Sequence, residues 1–384
     1  MSVFELQNAY FGIRVFITRR LGHFVFKFSH VLDTQHQLEE LLPRLRHSQW
    51  VAIDTEADSL HAYPEKLCLI QISYPGHDVL LDPLAAIDLA PLFAELANRE
   101  LVMHGSDYDL RLFRRYHNFV PHAVFDTMIA ARLLGCRRFG LADLLTEFLG
   151  VTLDKGPQKA NWARRPLTER MESYARNDTC HLQPLVDSLR ARLGEKGRLE
   201  WVKESCAQLV RDCAHCEEVN PDLVWRVKGS SKLPRKGLAV VREIWRWREV
   251  EAISHNKPPF FMLAHEVMTA LADTAAHGQP FEPIIPRHLT QRRRQGLMEA
   301  IQRAIALPQT EWPYPLPLPP RRYQTEAQKR RMEELTRRRD DHARELDIDP
   351  TVIASRATLV ELAEDWDTTN GPLLLPWQRN LLSF

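Results

Sequence analysis

Residues 51–60 read VAIDTEADSL, and a second apolar run, LCLIQIS, fills residues 67–73. Val51, Ala52 and Ile53 have the character of a buried strand, and the strand ends in acid. Residues i and i+2 of a strand face the same side, so Asp54 and Glu56 leave the end of the sheet together. Two carboxylates forced close repel, and one pKa rises unless a cation lies between them. A pair of Mg²⁺ or Mn²⁺ ions resolves the conflict, because hard divalent ions take carboxylate oxygens and water as ligands. An Asp-x-Glu pair is common by itself, so its meaning depends on which other acids meet it. Asp58 continues the alternation but falls past the end of the strand and is set aside.

The chain on either side supplies a sheet. Leu38, Leu41, Leu42 and Leu45 recur at helical spacing behind Asp33 and Thr34, both capping residues. DVLL (78–81) follows the turn at Pro75-Gly76, LVMH (101–104) follows the helical stretch APLFAELAN (90–98), and AVFD (123–126) comes next. Hairpin-like strands followed by strand–helix alternation predict a mixed α/β sheet. After residue 200 strand signals nearly vanish, and the periodicity predicts helices at 199–218, 235–254, 262–276 and 290–305. Residues 307–320 hold six prolines in fourteen positions, which reads as a stiff extended connector. A last helical unit spans about 325–384. The layout is one α/β domain followed by two small helical domains.

Further acids stand where they could join the first pair. Asp107 and Asp109 open a helix directly after the strand LVMH, at the sheet end where open α/β folds gather ligands. Either can also serve as a helix cap. Asp109 precedes the apolar Phe113 by one turn, so the helix can stay anchored while this acid faces the cleft. Asp126 stands directly before an apolar helical run and reads as a cap. In SYARNDTCH (173–181) Tyr174 and Asp178 are four apart, on one face of a helix. Four acids around two divalent ions suit phosphodiester hydrolysis. Tyr174 would orient or deprotonate the attacking water.

The bulk numbers narrow the class. The 384 residues carry a net charge of +1 and 44% hydrophobic residues, which suits two or three globular domains. No run of 18 apolar residues predicts a membrane span. The six cysteines are scattered and fit a reducing compartment. Cys213-Ala-His-Cys216 is a lone CxxC on what reads as an amphipathic helix, short of the four ligands of a zinc site. Residues 224–257 hold nine Lys/Arg against three Asp/Glu, and 287–344 hold fourteen against seven. That local excess suits a polyanion. The start of the chain is interrupted by Arg14, Arg19 and Arg20 and reads as an extension ahead of the first strand. No G-x-x-x-x-G-K-[ST] pattern occurs, so a helicase motor is not expected.

AIDTEADSLHAYPEKLCLIQIS, VMHGSDYDLRLF and YARNDT resemble the three motifs of the DEDD 3′–5′ exonucleases, and within them ribonuclease D. The resemblance implies Asp54, Glu56, Asp109 and Asp178 as the acids that hold two Mg²⁺ or Mn²⁺ ions, with Tyr174 as the catalytic tyrosine. It selects Asp109 over Asp107, and Tyr174 places the chain in the tyrosine branch. DKGPQKANWARRPLT is similar to the stretch before the third motif and implies Gln158, Trp162 and Arg165 as RNA contacts. Trp162 and Phe139 also have the alternatives of base stacking or core packing, and Arg164 and Arg165 those of phosphate contact or a salt bridge. REVEAISHNKPPFFMLAHEVMTALA resembles an HRDC domain, and RELDIDPTVIASRATLVELAEDW with LLPWQRNLL a second, weaker one. The implied organisation is an extension at 1–27, a ribonuclease H-like exonuclease domain with a mixed five-stranded sheet at 28–200, an HRDC domain at 218–290, a Pro-rich linker at 307–320 and an HRDC-like domain at 325–384. The implied activity is a cytoplasmic, monomeric 3′–5′ exoribonuclease acting on tRNA precursors and releasing 5′-monophosphates. Lys228, Lys232, Arg235 and Lys236 would grip the phosphate backbone. A DNA exonuclease of the same superfamily and a non-catalytic RNA-binding protein are the alternatives.

Overall fold

The computed structural model describes strands at 5–7, 14–20 and 23–28 and then residues 31–154, 156–215, 220–317 and 324–383. The chain divides into two compact units. The first holds residues 1–56, 67–216 and 324–384; the second holds 57–66 and 217–323.

In the first unit, β1 (Glu5–Gln7), β2 (Arg14–Arg20) and β3 (His23–Phe28) pair antiparallel as a separate sheet. The main sheet has six strands in the order β4-β7-β6-β5-β8-β9. These are β4 (Val31–Leu32), β5 (Val51–Ala57), β6 (Leu67–Tyr74), β7 (His77–Leu81), β8 (Glu100–Met103) and β9 (Ala123–Asp126). β6 and β7 form an antiparallel hairpin, whereas β5, β8 and β9 run parallel. The five expected strands are all present. The sixth, β4, is two residues paired in parallel to Leu80 and Leu81, too short to leave a periodic signal.

Helices connect and cover the strands: α1 (Gln35–Arg46), α2 (Ala90–Leu96), α3 (Asp107–His117), α4 (Thr127–Leu134), α5 (Leu141–Leu149), α6 (Glu169–Cys180), α7 (Leu182–Glu195) and α8 (Leu199–Ala214). Thr34 caps α1 in a capping box with Gln37, as its position before the leucine stripe predicts. α8 stops at Ala214, short of the expected residue 218, and Cys216 lies outside the described residues. Cys206 and Cys213 are buried on α8, and the described cysteines form no disulfide.

The second unit is built on α9 (Arg235–Ser254), α10 (Pro259–Met262), α11 (His265–Ala276) and α12 (Gln291–Ala306). Leu238, Val241, Ile244, Met268, Leu271, Leu297 and Ile301 form its core. The segment 57–66 belongs to this unit, where Tyr63 donates its backbone N–H to Asn256 (3.2 Å) and its phenol to Glu249 (2.5 Å). The described part of the proline-rich stretch, 307–317, is bound rather than free. Arg235 donates to the carbonyl oxygens of Gln309 and Trp312, Arg242 to that of Glu311, and Arg226 to that of Tyr314. Prolines remove N–H donors but leave carbonyls that still need partners, and arginines meet that need. Residues 318–320 of the expected linker lie outside the described residues.

The chain then returns to the first unit with α13 (Glu326–Leu346), α14 (Pro350–Ile353), α15 (Arg356–Glu364), α16 (Trp366–Leu373) and α17 (Pro376–Leu382). These helices share one core with α4, α7 and α8: Leu335, Ile353, Leu359 and Leu362 join Leu133, Leu185, Leu189 and Cys206. Trp201 and Trp377 stack with centroids 4.8 Å apart. Arg198 bridges the two segments, donating to the carbonyls of Leu133 and Leu346 at 2.9 and 2.7 Å. Gly135 allows the close approach: a Cβ there would lie 2.2 Å from the Asp347 carbonyl oxygen. Among the described residues no helix is long and apolar enough to cross a membrane.

Candidate active site

β5 buries Val51, Ala52 and Ile53 completely, then delivers Asp54 and Glu56, both part-buried, at its C-terminal end. Asp58 is fully buried beyond the strand and pairs with Lys66 at 2.5 Å, a structural ion pair. β8 leads through Gly105 into α3. The start of α3 is fixed by Asp126, whose carboxylate accepts from the N–H groups of Gly105 (3.1 Å) and Ser106 (2.8 Å) and from the Ser106 hydroxyl (2.8 Å). The same carboxylate caps α4 through Met128 and Ile129, so Asp126 pins two helix starts at once. With α3 held there, Asp107 turns outward and pairs with Arg111, which holds its carboxyl below the usual range. Asp109 turns inward, is 6% exposed, and accepts a hydrogen bond from Thr55.

α6 supplies the third element. Thr168 caps it, and Met171, Ala175 and Thr179 bury one stripe. Ser73 Oγ on β6 lies 2.7 Å from both Thr179 Oγ1 and Asp78 Oδ1, which locks the helix to the hairpin. Tyr174 and Asp178 lie on the adjoining stripe, and the phenol stands within hydrogen-bonding reach of Asp178. Gly156 packs against the tyrosine ring: a Cβ there would lie 1.5 Å from Tyr174 Cδ2. Gln158 lies beside the phenol and pulls its pKa back down.

Burial raises all four acids, and charges within the set raise three of them further. Burial, then the charges of Asp109, Asp178 and Glu56, push Asp54 well up. Burial, then Asp178 and Asp109, push Glu56 up to about 9. Burial carries Asp109 to about 6 and Asp178 to about 7, with Thr55 and Tyr174 respectively pulling back. Burial, then Asp178 and Glu56, push the Tyr174 phenol well up, so it stays a hydrogen-bond donor at neutral pH. Among the described residues, no three His, Cys, Asp or Glu side chains close on a common point as they stand. Asp109 accepts from Thr55, and Asp178 lies beside Tyr174. Asp178 Oδ2 is buried with no partner. An all-oxygen set with an idle buried carboxylate oxygen and pKa values raised by burial and neighbouring charge fits hard divalent cations.

A 3′–5′ exonuclease family model matches residues 29–194, and an HRDC domain model matches residues 328–374. Ribonuclease D of Pseudomonas paraeruginosa is 35% identical over 292 residues, covering 72% of this chain and 75% of that one. The chain belongs to the ribonuclease D family. It is a hydrolytic 3′–5′ exoribonuclease, and its fold is the ribonuclease H-like exonuclease domain with a C-terminal helical HRDC domain. The solved ribonuclease D of Escherichia coli has the same fold, with TM-score 0.69 at 24% identity over 92% of this chain and 98% of that one. A protein from Bifidobacterium adolescentis aligns with TM-score 0.79 at 24% identity over 92% and 95%. The HRDC match falls on α13–α16, within the unit that holds the acids.

Three of the expected RNA contacts of this ribonuclease D-family enzyme are corrected by the packing. Trp162 is 1% exposed, in a core with Leu69, Leu80 and Ala175, its ring 6.0 Å from that of Tyr174; it cannot stack on a base. Arg165 is paired with Asp82 and donates to the carbonyls of Trp162 and Cys68 at 2.7 and 2.6 Å. Arg235 is spent on the 309–314 segment, its guanidinium 3.8 Å over the Tyr314 ring. Lys228 and Lys232 remain exposed and Lys236 half-buried on the second unit. Phe139 is exposed beneath the Arg132 guanidinium at 5.5 Å. Sequence reading missed Thr55 and Gly156, whose partners are remote in the chain.

Proposed function

We propose that the enzyme trims RNA 3′ ends by a two-metal mechanism at Asp54, Glu56, Asp109 and Asp178. The observation that carries this reading is the set of four carboxylates from β5, α3 and α6, Asp109 buried and the other three part-buried, whose pKa values burial raises and whose charges raise three of them further. Bound Mg²⁺ or Mn²⁺ ions supply charge neutralisation and Lewis acidity toward the phosphoryl oxygens. Asp54, Glu56, Asp109 and Asp178 would hold those ions. Tyr174 donates its phenolic hydrogen toward the attacking water and orients it, while Gln158, Gly156 and Trp162 fix the ring. Water adds to the terminal phosphorus and the P–O3′ bond breaks. The products are a nucleoside 5′-monophosphate and an RNA one residue shorter with a free 3′-hydroxyl.

The family resemblance supports the proposed substrate and setting. The reading assigns tRNA precursors as substrates and a cytoplasmic monomer as the working form. It assigns HRDC-like character to residues 218–290 as well as 325–384, with Lys228, Lys232 and Lys236 meeting phosphates. The test uses a 3′-extended tRNA precursor with wild-type enzyme and Asp54→Asn. Wild-type should trim it only with added Mg²⁺ or Mn²⁺, and Asp54→Asn should not. Trimming by the purified variant at the wild-type rate refutes the assignment. Matched RNA and DNA strands in the same assay should show preference for RNA.

A further inference from the structure

Gln71 sits in the middle of β6 with no exposed surface, and neither its amide nitrogen nor its amide oxygen has a hydrogen-bond partner. A buried, partnerless amide gives up its hydration without compensation.

Strand alternation places Leu69, Gln71 and Ser73 on one face of β6. Leu69 shares a buried cluster with Met171 and Ala175 of α6, Arg165 just before that helix donates to the Cys68 carbonyl, and Ser73 meets Thr179 of the same helix. α6 therefore runs along β6 in the same direction, and Gln71 lies under the turn that carries residues 175–178. That turn ends in Asp178, whose Oδ2 is also buried and partnerless. An amide NH₂ and a carboxylate oxygen are complementary, and both are idle in the same layer of the fold.

We infer that Gln71 is a positioning residue for the acidic cluster: its amide NH₂ donates to the Asp178 carboxylate when that side chain turns toward a divalent ion. This rests on the metal-dependent reading above and adds the group that aims one of its acids. A hydrogen bond from a neutral donor fixes the carboxylate without adding a competing charge. Partners of this kind typically govern metal affinity by about 10- to 100-fold.

The test measures three quantities on full-length wild-type, Gln71→Met and Gln71→Leu proteins. These are Mn²⁺ affinity by calorimetry or electron paramagnetic resonance, metal-free melting temperature, and kcat and KM for an RNA oligonucleotide. Both variants remove the idle amide at similar size. The metal-free melting temperature should hold or rise while Mn²⁺ binding weakens about 10- to 100-fold. kcat at limiting Mn²⁺ should fall with KM for RNA unchanged. Mn²⁺ affinity within twofold of wild-type overturns the inference, the amide then being satisfied by buried water alone. Failure of both variants to fold overturns it as well, because the amide would then be a structural requirement. Wild-type that trims RNA without binding Mn²⁺ overturns the metal reading itself, which separates the two failures.

Discussion

Raising the pH should destabilise the metal-free enzyme, and divalent ions should remove most of that loss. An acid whose folded pKa is raised contributes its full share of stability below the unfolded value. It loses that share as the pH climbs through the folded value. Asp178 moves from 3.8 to about 7, Asp109 from 3.8 to about 6 and Glu56 from 4.5 to about 9. The decline therefore runs from about pH 4 to about pH 9. For Asp178 alone the shift is about 3 units, or roughly 4 kcal/mol at about 1.4 kcal/mol per unit. Its repulsion is shared with the other acids and its side chain is part-exposed, so the cluster should cost on the order of 2–4 kcal/mol between about pH 5.5 and pH 8.5. At roughly 2–4 °C per kcal/mol for a unit of this size, the melting temperature in EDTA should fall by about 4–16 °C. Differential scanning fluorimetry in EDTA, with and without excess Mn²⁺, reads this directly. Protons and ions compete for the same oxygens, so the Mn²⁺ increment should be larger at the higher pH. Asp178→Asn should flatten the slope. An EDTA melting curve that is level or rises over this range, or a Mn²⁺ increment equal at both ends, would refute the reasoning.

Other perturbations test single parts of the site. Tyr174→Phe should lower kcat by about 10- to 100-fold while Mn²⁺ affinity stays within twofold, read by oligonucleotide trimming and calorimetry. Gly156→Ala places a methyl inside the Tyr174 ring, so the ring must move; kcat should fall comparably, with the metal-free melting temperature lowered by a few degrees in the same scan. Asp126→Ala frees five donors at the starts of α3 and α4, and urea unfolding should show a loss of roughly 3–4 kcal/mol. Lys228→Gln with Lys232→Gln should weaken RNA binding and reduce its salt dependence by about one to two ion equivalents, measured by fluorescence anisotropy over a salt series.

The acids themselves were legible without coordinates because they sit at positions that local periodicity describes. Asp54 and Glu56 are i and i+2 on a strand whose apolar run is unmistakable, and Tyr174 and Asp178 are i and i+4 on a capped helix. Asp126 as a cap was legible for the same reason, although its second duty, holding the start of α3, was not. Trp162 and Arg165 read as RNA contacts through the resemblance of the stretch before the third motif, with core packing and a salt bridge as the open alternatives, and Arg235 through the local excess of basic residues. What they do instead depends on partners far along the chain. Asp82, which pairs with Arg165, lies 83 residues away, and Trp312, whose carbonyl Arg235 binds, lies 77 away.

By itself, then, the sequence determined the elements, the strand-end and helix-start placement of the acids, and the family. Backbone periodicity and capping chemistry are properties of a few consecutive residues, and four acids in this order suffice to carry the motif. Only the tertiary structure decided which side chains remain available. It turned Asp109 in and Asp107 out by pinning α3 through Asp126. It consumed two arginines and a tryptophan in packing, merged α13–α17 into the core of the first unit, and left Gln71 and Asp178 with idle buried atoms. Availability depends on burial and on partners brought together by folding, and neither quantity is written in any local window of the chain.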